Sequence, residues 1–139
     1  MKILSAAALV AALAWSAPPA RAQSYDVVDV GLVGLTNSVV SAKAAPGPVL
    51  GVNCYNPNAA AVWLQLFDTA SSITLGTTPP TLQWQLPPSQ SSGWLQVQRS
   101  GPAAGGAYYA TNSLQVAVTT VAGGSAAPSS SVSCDLLTR

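Results

Sequence analysis

The chain has 139 residues, a formal net charge of +1 and 6% charged residues. It contains no histidine, and its four acidic residues are all aspartates. This composition excludes Ser–His nucleophilic catalysis and zinc sites built from histidine and cysteine clusters. It also provides no basic patch for electrostatic binding of nucleic acid. We therefore predict a protein that is not an enzyme, uses no cofactor or metal, and binds no nucleic acid.

Residues 1–22 have the pattern of a secretory signal peptide. Lys2 supplies a positive charge, and residues 3–15 form an apolar run. Ala20 and Ala22 are small residues at the positions before a cleavage site that signal peptidase recognises. The apolar run is shorter than the roughly 20 residues that a membrane-spanning helix needs. We predict cleavage after Ala22, one mature domain over residues 23–139, and no transmembrane segment after cleavage. The predicted location is periplasmic or extracellular.

The two cysteines, Cys54 and Cys134, are predicted to form one disulfide. An even cysteine count in an exported chain favours pairing, and the alternative is two buried free thiols. Both cysteines fall on the core-facing parity of their segments. The disulfide should therefore be buried and join a central strand to the last one, either as neighbours in one sheet or across two sheets.

Short segments that alternate between apolar and polar residues follow one another along the chain, as in half-buried strands. They lie near residues 25–33, 37–42, 49–56, 62–67, 82–86, 94–99, 114–119 and 132–136. Asn56-Pro57-Asn58 is a turn signal, which predicts a hairpin between the segments on either side. No segment has the period of an amphipathic helix. The sequence predicts an all-β antiparallel sandwich of about eight short strands, either jelly-roll or Ig-like.

Glutamines recur on the polar parity of several strands, beside tryptophans. If those strands are neighbours, the glutamines form an amide-rich face, and amide and aromatic groups together can bind carbohydrate or another protein. In residues 62–88, Phe67 shares the outward parity of this row. The alternative is a neutral, solvated sheet face. The candidate binding surface consists of Trp63, Gln65, Gln83, Gln85, Trp94, Gln96 and Gln98.

Two stretches have a characteristic order of strands and turns. The first is VWLQLFD at residues 62–68 followed by LGTTPPTLQWQLP at residues 75–87. The second is LQVAVTT at residues 114–120, then a small-residue loop and a final strand ending in DLLT. Over the C-terminal two-thirds of the chain, they resemble small β-sandwich proteins found among bacteriophage virion and tail-associated proteins.

That resemblance implies a compact sandwich with a structural or decorating role and carries over no catalytic residues. The chain differs from the group by its predicted signal peptide and disulfide. These differences favour a related module that a bacterium uses outside its inner membrane.

The leading hypothesis is an exported, non-catalytic structural or adhesive β-sandwich protein of the bacterial envelope or exterior. The alternatives are a phage-derived virion or tail structural or decoration protein and a fimbria-like subunit. The expected partner is another copy of the chain or another envelope or virion protein, with carbohydrate as a further candidate. A nearly uncharged surface suits self-association, because charge repulsion between copies is weak.

Overall fold

A computed structural model describes residues 27–97 and 108–139. The predicted signal peptide and Gln98 lie outside these residues. Within them, the strands are β1 (Val28–Leu35), β2 (Val40–Lys43), β3 (Gly47–Asn56), β4 (Val62–Asp68), β5 (Leu82–Leu86), β6 (Gln90–Gln96), β7 (Tyr108–Ala110), β8 (Leu114–Thr119) and β9 (Val132–Thr138). The described part of the chain has no helix long and apolar enough to span a membrane.

The strands form two antiparallel sheets that enclose an apolar core. The five-stranded sheet has the order β1-β9-β3-β6, with β7 also paired to β3, and the four-stranded sheet has the order β2-β8-β4-β5. The pairing of β1 with β9, β2 with β8, β3 with β6 and β7, and β4 with β5 is that of one long hairpin rolled onto itself. This is the order of a jelly roll. The all-β sandwich prediction is confirmed, and the strand order selects the jelly roll over the Ig-like alternative.

Residues 62–88 form the tip of that long hairpin. β4 and β5 pair directly, and the inward side chains of both strands pack into the core. Inward-facing residues with apolar side chains alternate with outward-facing ones, as the period-2 pattern predicts. The inward pairs are Val62–Leu86, Leu64–Trp84 and Leu66–Leu82.

The predicted hairpin around Asn56-Pro57-Asn58 is wrong. β3 belongs to the five-stranded sheet and β4 to the four-stranded sheet, so the chain crosses between sheets here. The Asn56 side chain stabilises the crossing instead of closing a hairpin turn. Its Nδ2 donates to the carbonyls of Leu86 and Pro87 at 3.3 and 2.9 Å. Asn56 thus ties the β3–β4 crossing to the β5–β6 crossing.

Asn58 joins a third crossing, between β8 and β9, to the same end of the sandwich. Its Oδ1 accepts from Ser129 Oγ at 2.8 Å and from the Ser130 N–H at 2.6 Å, and its Nδ2 donates to the Ser130 carbonyl at 2.9 Å. Asn58 Nδ2 also donates to Asn56 Oδ1 at 2.8 Å. Both asparagines are buried, so the bond between their side chains is shielded from water, while the bonds to Ser129 and Ser130 are partly buried.

The predicted disulfide between Cys54 and Cys134 is confirmed. The two residues lie opposite each other on the neighbouring strands β3 and β9, with their Cα atoms 4.0 Å apart. Both side chains are buried, as their parity predicts. The bond joins neighbours within one sheet, and it is typical of proteins that mature in an oxidising compartment.

Candidate functional site

The structure does not bring the predicted surface residues together on one face. β5 and β6 belong to different sheets, so the glutamines on these strands lie on opposite sides of the sandwich. The single amide face expected from the sequence is therefore wrong. Trp63, Gln65, Gln83 and Gln85 belong to the outer side of the four-stranded sheet, and Trp94 and Gln96 to the outer side of the five-stranded sheet.

Gln65 is a buried residue and not part of a binding surface. Its Nε2 donates to Thr119 Oγ1 and to the Gly124 carbonyl, the latter at 3.2 Å. Phe67, on the same parity, is also buried. The sequence could not reveal this burial, because the partners of Gln65, Thr119 at the end of β8 and Gly124 in the loop that follows, lie far along the chain.

Two loops cover the centre of this outer face. The loop at residues 120–131 supplies the carbonyl that Gln65 binds. In the loop at residues 69–81, the Thr69 carbonyl accepts from Gln115 Nε2 at 2.8 Å. What is left open is the rim along the edge strand β5, where Gln83 and Gln85 are exposed beside half-buried Trp63.

The outer face of the five-stranded sheet carries three large exposed aromatic side chains. Trp94 and Tyr55 lie near one end of β3, and Tyr109 lies opposite Pro48 at the other end. Trp94 is 52% exposed and Tyr55 is 53% exposed. Trp94 lies opposite Asn53, which in turn lies opposite Asp135, whereas Tyr55 lies between Ser91 and Ser133. We call this surface the platform; it consists of Asn53, Tyr55, Ser91, Trp94, Ser133 and Asp135.

A bulge in β6 brings Ser91 and Trp94 to the same side of the sheet. Three positions apart, they would face opposite sides of a regular strand. The pairing register shifts between Asn53 and Tyr55, and Gly93 has a φ of 67°, which favours glycine. β6 therefore begins at Gln90, earlier than the predicted start at Trp94.

The indole of Trp94 leans over the backbone of β3. A Cβ atom placed on Gly51 would lie 3.5 Å from Trp94 Cε3 and 3.3 Å from the Leu95 carbonyl oxygen. The ring thus occupies the space above a residue that has no side chain, and it buries Gly51. This support restrains the ring against the sheet while half of its surface remains exposed.

The Asn53 amide is oriented by a neighbouring hydroxyl. Ser91 Oγ donates to Asn53 Oδ1 at 2.8 Å, across the β3–β6 pair. An amide held through its oxygen can present its NH₂ group to a ligand. On the other side of Asn53, the exposed Asp135 contributes a carboxylate that can accept hydrogen bonds. The platform therefore offers rings, a donor and an acceptor side by side.

Sequence reasoning found Trp94 but missed Asn53, Tyr55 and Asp135. Their signal was present, because Asn53 and Tyr55 alternate with the core-facing Cys54 and must point outward. What the sequence lacked was the order of the strands, which places β3 between β6 and β9.

Asp68 forms a separate polar cluster at the end of β4. Its carboxylate accepts from the hydroxyl of Tyr108 and the N–H of Thr111 at 2.8 Å each, and from the N–H of Asn112 at 2.7 Å. Burial raises the pKa of Asp68, but the hydrogen bonds from Thr111, Asn112 and Tyr108 outweigh that effect and lower the pKa below its ordinary value. The cluster fixes β7 and the start of β8 to β4, so its role is structural.

Because the pKa of Asp68 is lower in the folded state, this carboxylate stabilises the fold above the pKa of an unfolded aspartate, about 3.9. The contribution is lost as pH falls through the lower folded value. We expect Asp68→Asn to reduce the free energy of unfolding by about 2 kcal/mol at pH 7 and to flatten its dependence on pH below about 4. Urea denaturation from pH 2 to 7 measures both effects.

The control variant is Asp29→Asn, which changes an exposed aspartate of β1. It should alter stability by less than about 0.5 kcal/mol at pH 7. Equal losses in the two variants would contradict the role assigned to Asp68.

Within residues 27–97 and 108–139, no three His, Cys, Asp or Glu side chains are grouped closely enough to hold a metal ion. Comparisons of the chain with models of known families, with curated proteins and with solved structures find no match.

Proposed function

We propose that the protein is an exported, non-catalytic binding protein of the bacterial envelope or exterior, and that the platform is its binding surface. The observation that carries the proposal is the exposure of Trp94 and Tyr55 on one sheet face. Large aromatic side chains are costly to leave in water and are enriched where proteins bind partners. The disulfide and the predicted signal peptide support maturation outside the cytoplasm.

The proposal predicts that the protein binds to bacterial surfaces through Trp94. The full chain is produced in a bacterial host, and the N-terminus of the exported product is read by mass spectrometry. We expect it to begin at Gln23. The purified product is then mixed with washed Gram-negative and Gram-positive cells, and the fraction removed from solution is measured. Trp94→Ala should reduce the apparent affinity by about tenfold.

Tyr109→Ala is the matched control, because Tyr109 is 56% exposed on the same sheet face but lies opposite Pro48, at the other end of β3 from the platform. It should bind cells like the unchanged protein. If the unchanged protein binds no cells, or if both variants lose binding equally, the proposed function is wrong. Retention of residues 1–22 in the product would contradict the export part of the proposal.

A second candidate function is a virion or tail decoration protein derived from a phage. The jelly-roll strand order favours it, because this architecture is used by viral capsid as well as lectin domains. Fold alone assigns no function, so this candidate has weaker support than a specific surface. Tail or capsid genes beside the coding gene, together with binding to assembled phage particles, would favour it over the envelope proposal.

A further inference from the structure

We propose that the platform binds an uncharged polysaccharide, with one sugar ring stacked on the Trp94 indole and its hydroxyls bonded to Asn53 and Asp135. This inference rests on the proposed function, because it names the ligand of the same surface. It is carried by the combination of a supported aromatic ring, an oriented amide and a carboxylate in one row across the sheet.

The aromatic part of the platform suits the face of a pyranose ring. A pyranose with equatorial hydroxyls exposes flat patches of C–H groups above and below the ring, and such patches pack well on an indole face. Trp94 is held over Gly51, so little side-chain freedom is lost when a ligand binds. A flat strand surface leaves room for a sugar chain to continue past the ring.

The polar part of the platform suits sugar hydroxyls. A hydroxyl both donates and accepts, so it can use the Asn53 NH₂ group and the Asp135 carboxylate together. Because Ser91 already occupies Asn53 Oδ1, the amide presents its donor side without rearrangement. Hydrogen bonds to the ionised carboxylate are stronger than those between neutral groups. Aromatic stacking and paired hydrogen bonds would then fix the same sugar unit.

Tyr55 provides a second contact for a chain of sugars. It lies two residues along β3 from Asn53, so the Tyr55 and Trp94 positions are separated by roughly 8 Å along the diagonal of the sheet. That span is wider than one sugar ring, so the two aromatic rings would contact different units of a chain. Ser91 and Ser133 flank Tyr55 with further hydroxyl groups. An oligosaccharide should therefore bind more tightly than a monosaccharide.

Charge favours a neutral ligand over an anionic one. Of the residues that define the platform, Asp135 is the only charged one. A polysaccharide with carboxylate or sulfate groups would be repelled by this carboxylate without gaining an ion pair there. A neutral polysaccharide keeps the hydrogen bonds and avoids the repulsion, so binding should depend little on salt.

The test uses the exported full-chain product and purified polysaccharides. Mixed-linkage β-glucan, hydroxyethyl cellulose and galactomannan are the soluble neutral probes, insoluble cellulose and chitin are the solid ones, and alginate is the anionic probe. Binding is measured by retardation in gels containing the soluble probes and by depletion onto the solids. Oligosaccharides of the bound polymer are then titrated by calorimetry. We expect binding to at least one neutral probe and none to alginate.

Trp94→Ala should weaken that binding by about tenfold or more, and Tyr55→Ala by several-fold. Trp94→Phe keeps an aromatic ring and should retain most of the affinity, which separates loss of stacking from loss of folding. Tyr109→Ala should bind like the unchanged protein. Thermal unfolding of each variant is measured alongside.

Three results would overturn this inference. They are failure to bind any neutral probe, binding that persists in Trp94→Ala, and a platform that instead mediates Trp94-dependent self-association in size-exclusion chromatography. If cell binding depends on Trp94 but no polysaccharide competes with it, the proposed function stands and the carbohydrate inference fails. If cell binding itself is absent while a neutral polysaccharide binds, the envelope role fails and the carbohydrate inference stands.

Discussion

Replacing both disulfide cysteines, as Cys54→Ala with Cys134→Ala, should lower the free energy of unfolding by about 4–5 kcal/mol. The disulfide links residues 80 positions apart, so it removes many conformations from the unfolded chain. A domain of this size has a total stability of about 5–15 kcal/mol, and the variant should therefore be marginally folded. Guanidinium denaturation, monitored by tryptophan fluorescence, measures the change.

The unchanged protein, unfolded with and without reductant, provides the control for this prediction. Reduction should reproduce most of the loss, because it breaks the same link without changing the side-chain packing. Alkylation of the unfolded protein should add no mass unless reductant is present. A loss below about 1 kcal/mol would mean that the unfolded chain is compact even without the cross-link.

Asn58→Ala should have the next largest effect, a loss of about 3 kcal/mol. The substitution removes four hydrogen bonds of a buried side chain, although Asn56 Oδ1 keeps the bond that it accepts from the Asn58 N–H. A single bond of this kind contributes about 0.5–1.5 kcal/mol net, so the loss of four together gives the large effect. Thermal unfolding measures the global effect, and hydrogen exchange at the Ser130 amide should accelerate more than exchange in the centre of β4.

Asn37→Ala is the matched control for Asn58, because Asn37 is exposed and donates to the Ser125 carbonyl at 3.0 Å. This variant should lose no more than about 1 kcal/mol. If the two variants are equally stable, the three crossings are not joined through Asn58.

The alternation of residues predicted the strands well because burial on one face is a local property of the sequence. β4, β5, β8 and β9 were predicted within two residues of their observed ends. The parity of Cys54 and Cys134 also predicted their burial correctly. Sequence pattern is informative wherever one side of a strand meets the core and the other meets solvent.

The errors arose where a side chain depends on a distant segment. Asn56 and Asn58 have the composition of a turn, but their amides bind crossings that follow later in the chain. Gln65 has the parity of a surface residue, but a loop after β8 covers it. Gln85 and Trp94 lie on opposite sides of the sandwich because β5 and β6 belong to different sheets. No local signal in the sequence encodes which sheet a strand joins.

The platform was only partly predictable from the sequence, because most of it depends on which strands become neighbours. Trp94 was identified by parity, while its support by Gly51 and its row with Asn53 and Asp135 depend on which strands become neighbours. The bulge at Gly93 was also hidden, because a glycine that follows two serines is equally typical of a loop. Pairing of distant strands is thus the information that a single sequence did not supply.

The position of β9 has a consequence for how the protein acquires its structure. β9 follows the other described strands in the chain, yet it lies between β1 and β3, which are not paired with each other. The pairing of β1 and β3 with β9, and with it the disulfide and the Asp135 side of the platform, can form only once β9 is available. Such long-range pairing slows folding compared with local contacts.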